Sequence, residues 1–211
     1  MTTPTLPRDD RAIDFWFDFS SPYGYFAAQS IDALAARYGR DVRWHAILLG
    51  VIFKATGARP LSDVPLKGAY VLYDWQRISR LTGIEYHQPS SLPISSVAAA
   101  RAFLFARNRD PALAKRVARA LYRAYFVEQR EIQEPAVVVD VCEREGLPRA
   151  EVEQALGDER IKQALRDEVA QAEACGVFGS PFIVADGEPY FGWDRLPMLE
   201  AALARRSSLS Q

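Results

Sequence analysis

Two cysteines and two histidines in 211 residues leave little with which to build a redox or metal centre. Cys142 and Cys175 are far apart and form no C-x-x-C pair, and both are expected to be buried and inert. His45 and His87 are equally scattered, so neither zinc nor iron has a ligand set of ordinary spacing. No apolar run approaches the ~20 residues that a bilayer-spanning helix needs. A net charge of −1 supplies no field for nucleic acid or anionic lipid. Residues 1–11 lack the apolar core of a secretory signal, and are expected to be a short frayed leader on a cytoplasmic protein. There is no internal repeat. What remains, 49% hydrophobic and 25% charged residues, is the composition of an ordinary globular protein. The length suits one large domain, or one domain carrying an insertion.

The pattern along the chain divides it in three. Ile13, Phe15, Phe17 and Phe19 alternate as in a strand, and a helical pattern follows from Tyr25 through Leu34 to Gly39. Val42, Trp44, Ala46 and Leu48 then alternate as a second strand, which the right-handed crossover places parallel to the first. His45 falls in it with parity opposite to the core face, as a partly solvated side chain. Residues 51–175 read as helical throughout, with stretches at 67–81, 94–107, 113–126, 137–145, 149–156 and 158–175. Strand character returns at 177–185, turns at Asp186-Gly187, and continues to Phe191. A last helix begins near Asp194, a candidate N-cap. The expected fold is therefore α/β: a discontinuous thioredoxin-like βαβ–ββα domain (11–50 and 176–205) interrupted by an all-helical insertion (51–175).

In that arrangement the first strand-to-helix turn and the loop before the later hairpin meet at one end of the sheet. The turn reads Ser20-Ser21-Pro22. A serine followed by proline starts a helix, since the hydroxyl caps free N–H groups and proline has none to waste. Ser21 is thus either a plain cap or the hydroxyl of an anion site at a helix start.

Phe17-Asp-Phe-Ser-Ser-Pro-Tyr23, Val177-Phe-Gly-Ser-Pro181 and Gly192-Trp-Asp-Arg-Leu196 together resemble the DsbA-like branch of thioredoxin folds. Within it the chain is similar to the 2-hydroxychromene-2-carboxylate isomerases and their relatives, the kappa-class glutathione transferases, from Ile13 to Leu203. Where a disulfide oxidoreductase of this fold carries Cys-x-x-Cys, this chain reads Ser21-Pro22-Tyr23-Gly24. Thiol–disulfide exchange needs a thiolate of the protein's own, and serine offers none.

The resemblance implies glutathione as cofactor, with Ser21 as the catalytic hydroxyl that stabilises its thiolate. It implies contacts from Pro22 and Tyr23, and from Ser180 before a cis Pro181. It also implies Asp194 and Arg195 at the γ-glutamyl end and Lys67 facing a carboxylate. A small aromatic carboxylate would be the substrate, isomerised by reversible thiolate addition and elimination, and the relatives are commonly homodimers. Phe53, Tyr70, Tyr73 and Trp75 are the candidate pocket lining, although aromatics at helical spacing also build plain core. The chain departs from kappa-class relatives at Ala58, where they place an asparagine, and Arg59 is the candidate substitute. Transferase or peroxidase turnover, and a non-catalytic thiol-peptide binding module, stand as the other readings.

Overall fold

The computed structural model describes residues 12–209, so the expected leader lies outside the described residues. The first strand, β1 (Ala12–Phe17), is buried on both faces, Asp14 and Trp16 included. It is central because strands flank it on either side, in the order β2-β1-β3-β4. β2 (Asp41–Ala46) runs parallel to β1, pairing Phe15 with Trp44. β3 (Phe182–Ala185) and β4 (Glu188–Phe191) form an antiparallel hairpin on the other side, with Phe15 opposite Ile183. The turn between them holds Asp186 at φ 55° and Gly187 at φ 79°, the paired left-handed residues that a two-residue hairpin requires.

Between β1 and β2 the expected single helix is two: α1 (Pro22–Ala28) and α2 (Ile31–Ala36), broken at Gln29–Ser30. Ser30 leaves the helical region there, and its side chain makes no capping bond. The helices between β2 and β3 follow as α3 (Leu49–Thr56), α4 (Lys67–Thr82), α5 (Val97–Arg109), α6 (Pro111–Phe126), α7 (Pro135–Arg144), α8 (Arg149–Gly157) and α9 (Glu159–Ala174). A single 3-10 turn, Leu61–Asp63, lies between α3 and α4. Asp110 caps α6 through the N–H groups of Ala112 and Leu113, with Pro111 opening the helix as the sequence predicts. The mixed α/β arrangement read from the sequence is thus present. Asp194 is corrected: it lies inside a 3-10 turn (Trp193–Arg195), and α10 (Leu196–Leu209) begins after it.

Sheet and helices share one core. Phe17 packs edge-on against Phe19, Trp44 and Phe103, and Tyr122 of α6 leans on Phe17, Phe19 and Phe126. Burying such rings contributes roughly 1.5–3 kcal/mol each, which binds α5 and α6 to the sheet. His45 is held more tightly than its parity suggests. It stacks on Trp16 and lies between the Asp14 and Glu168 carboxylates, at 2.9 and 2.7 Å. Arg107 makes a two-pronged pair with Glu168, and Arg43 one with Asp14. Both cysteines are free and buried; burial pushes the Cys142 thiol up to about 12. No helix among the described residues is long and apolar enough to cross a membrane.

Candidate functional site

The β1–α1 turn and the loop before β3 meet, as the topology requires. Ser21 is the N-cap of α1: its Oγ accepts the Gly24 N–H at 3.0 Å. The same hydroxyl donates to the Ser180 carbonyl at 2.9 Å, across 159 residues of sequence. The Ser180–Pro181 bond is cis. Ser180 is fixed from its other end too, where its Oγ accepts the Asp18 N–H at 3.0 Å. Tyr122 donates to the Asp18 carbonyl at 3.0 Å, and so packs the floor beneath the turn. A β-carbon on Gly24 would come within 2.8 Å of Ser180 Oγ and 2.9 Å of the Tyr122 hydroxyl, so only glycine fits there without displacement.

The helix beneath Ser21 has only seven residues, and its dipole is correspondingly slight. The chemistry at this spot rests on the hydroxyl. Its oxygen has one donor already and its single proton is shared with a carbonyl, so turning about the Cβ–Oγ bond re-aims the proton while the Gly24 bond stays. No thiol stands in the first turn of α1.

Tyr23, two residues on, donates to Asp74 of α4 at 2.8 Å and lies edge-on to Trp75. Burial, then the Asp74 hydrogen bond, lifts the phenol well above its ordinary value, and the charge of Asp194 adds to this. Tyr23 therefore ties α1 to α4, while Phe26 of α1 meets Trp193 of the 193–195 turn. Asp194 and Arg195 pair with each other at 3.2 Å, both exposed. Lys67 is exposed in the first turn of α4, after Leu66 at φ 68°.

The four aromatic candidates are placed differently from one another. Trp75 is 3% exposed, among Tyr23 and Tyr86, and its indole N–H has no partner in the structure. Tyr70 and Tyr73 are 57% and 71% exposed on α4, with Arg77 lying over the Tyr70 ring. Phe53 is half-buried on α3, and Arg59 and Ala58 are exposed just after that helix, where the Ala58 N–H meets the Thr56 hydroxyl. A separate groove of about 500 Å³, lined in part by Tyr25, Gln29, Arg116 and Arg123, contains none of the candidate residues.

Sequence reasoning passed over Asp18, Tyr122, Gly24 and Asp74. Asp18 carried the one available signal, an acid between two phenylalanines at the end of an aromatic strand.

The model of one family, the DSBA-like thioredoxin domain, matches residues 12–204. The chain belongs to that family. It is 30% identical over 195 residues to a 2-hydroxychromene-2-carboxylate isomerase of Pseudomonas putida, covering 92% of this chain and 94% of that one. A rat glutathione S-transferase kappa 1 is 25% identical over 208 residues, covering 93% and 92%. Among solved structures, a 2-hydroxychromene-2-carboxylate isomerase superposes with a TM-score of 0.86 at 28% identity, covering 94% of this chain and 97% of that one. This DSBA-like chain is an enzyme of the branch that holds those isomerases and kappa-class transferases.

Proposed function

We propose that this DSBA-like protein is a glutathione-dependent isomerase acting on a conjugated aromatic carboxylate of the 2-hydroxychromene-2-carboxylate kind. The observation that carries the reading is Ser21: a hydroxyl stands where this fold otherwise offers a thiol, and it is set against the cis-Pro181 loop. The residues around it suit the tripeptide's chemistry. A thiolate needs a hydrogen-bond donor, two carboxylates need cations, and an ammonium needs an anion; Ser21, Lys67 with Arg195, and Asp194 are of those kinds. When bound, glutathione supplies a thiolate able to add to a conjugated system and leave again.

The protein's own part is to aim and hold. Ser21 Oγ surrenders its bond to the Ser180 carbonyl and presents the proton outward, favouring the ionised form of a thiol placed there. The Ser180 carbonyl thereby becomes available to a backbone N–H laid alongside it. Tyr23, fixed by Asp74, walls the α4 side, and Lys67 and Arg195 hold carboxylates by charge. Phe53, Tyr70, Tyr73 and Arg59 border the side from which an aromatic acid enters. With Ala58 in place of asparagine, the tripeptide loses one neutral hydrogen bond, worth about 1 kcal/mol, and Arg59 compensates by charge.

A second reading, kappa-like thiol transfer, draws on the 25% relative that spans 93% of this chain. Thiol counting separates the two. With the aromatic substrate in large excess over glutathione, the isomerase reading requires many turnovers and undiminished free thiol. Loss of one thiol per turnover would make the protein a transferase.

A further inference from the structure

The Asp18 carboxylate is 1% exposed, three residues before Ser21. One oxygen accepts the Ser20 N–H at 2.7 Å, and the other the Leu49 N–H at 2.6 Å. The Ser20 and Ser96 hydroxyls lie close to it and favour its charged form. These groups come from three different places: the turn itself, the first residue of α3, and the residue preceding α5. Ser96 occupies the N-cap position of α5 but makes no capping bond. Leu48, at the N-cap of α3, has no side chain able to make one, and the Asp18 carboxylate takes that N–H in its place. Main-chain atoms of the same residue hold Ser180 Oγ and the Tyr122 hydroxyl. Burial lifts the carboxyl above its ordinary range, against the pull of these donors.

We propose that Asp18 is the positioning residue of the Ser21 site: it gathers the β1–α1 turn, α3, α5 and the cis-proline loop at one buried point, and so sets where the Ser21 hydroxyl can aim. The proposal deepens the glutathione reading above and rests on it for its effect on the thiol. Its effect on the turn is independent. The carboxylate accepts on both oxygens, so no neutral isostere satisfies the same donors. In Asp18→Asn one oxygen becomes an NH2 facing an N–H, and one of the bonds is lost.

The test pairs two readouts in Asp18→Asn and Ser96→Ala. Amide hydrogen exchange reads the turn. Gly24 and Leu49 should exchange at least about fivefold faster in Asp18→Asn, while Phe15 and Ile183 in the paired strands stay at wild-type rates. Thiolate absorbance of protein-bound glutathione reads the site, and its titration midpoint should rise in Asp18→Asn and by less in Ser96→Ala. Wild-type exchange at Gly24 in both variants overturns the proposal, and so does an unmoved thiol midpoint in an Asp18→Asn protein whose Gly24 has become labile. If Asp18→Asn does not fold, Ser96→Ala carries both readouts, because it removes a hydroxyl beside the carboxylate and no helix cap; wild-type behaviour there overturns the proposal equally. A wild-type protein that leaves the bound thiol at its free value sinks the glutathione reading instead, and the exchange arm still decides whether Asp18 holds the turn.

Discussion

Replacing Gly24 by alanine sets two opposed effects against each other. Gly24 is the third residue of α1, and alanine is the better helix former by about 0.5–1 kcal/mol. Against this, the new methyl would lie 2.8 Å from Ser180 Oγ, 2.9 Å from the Tyr122 hydroxyl and 3.2 Å from Ser21 Cβ. Both oxygens end side chains that would yield easily if they were free. Neither is, since Ser180 Oγ accepts the Asp18 N–H and Tyr122 donates to the Asp18 carbonyl. Making room therefore means overpacking, about 1–3 kcal/mol, plus weakening of buried hydrogen bonds worth about 1 kcal/mol each. Sterics win, and the net expectation is a loss of about 1–3 kcal/mol with Ser180 pushed away from Ser21. Urea unfolding measures the first part and calorimetric glutathione affinity the second. An alanine variant as stable as wild type, or more so, would refute the claim that the turn and the cis-proline loop are packed without slack.

Other outcomes follow from the same geometry. Burial works against the charged form of His45, but hydrogen bonds to Asp14 and Glu168 outweigh it and raise the group above its ordinary 6.5. Its contribution to stability is therefore complete below 6.5 and fades as pH rises through the higher folded value. Glu168 is the mirror case: burial opposes its charge, the bonds from Arg107 and His45 dominate, and it falls from 4.5 to about 2, so its contribution fades as pH drops from 4.5 towards 2. Thermal melts of wild type and His45→Gln should thus diverge on the acid side of neutrality and converge as pH rises; a gap that stays constant from about pH 5 to pH 9 would contradict this. Ser21→Cys should exchange isomerase turnover for a mixed disulfide with oxidised glutathione, seen by mass spectrometry, since a thiol there has the position that thiol–disulfide exchange uses. A variant that stays unmodified would show that the thiol end of the tripeptide does not reach residue 21.

Much of the scaffold was legible because its signals are local. Pro111 opens α6, Asp186-Gly187 turns the hairpin, and alternating aromatics mark β1. The meeting of Ser21 with Ser180 followed from topology alone. What escaped was held by contacts distant in sequence. α3 begins at Leu49, a start with no capping residue beside it, because the cap comes from Asp18 in the β1–α1 turn, 31 residues earlier. The ion network joining His45 to Glu168 spans 123 residues, so parity within β2 could not report it. The break after Ala28 carries neither glycine nor proline, and Asp194 resembled a cap although α10 starts two residues later. At the site, the hydroxyl was readable from Ser-Ser-Pro, whereas the carboxylate beneath it looked like one more residue of an aromatic strand.

The central claim is that one hydroxyl stabilises a borrowed thiolate, and titrating glutathione in the bound state tests it most directly. A hydrogen bond to a charged group is worth about 1.5–3 kcal/mol, which would lower the thiol by about one to two pH units from its free value near 8.5. The account predicts that thiolate absorbance of wild-type-bound glutathione titrates near neutrality, and that Ser21→Ala returns the midpoint most of the way to the free value while the tripeptide still binds. Identical midpoints in wild type and Ser21→Ala would contradict it.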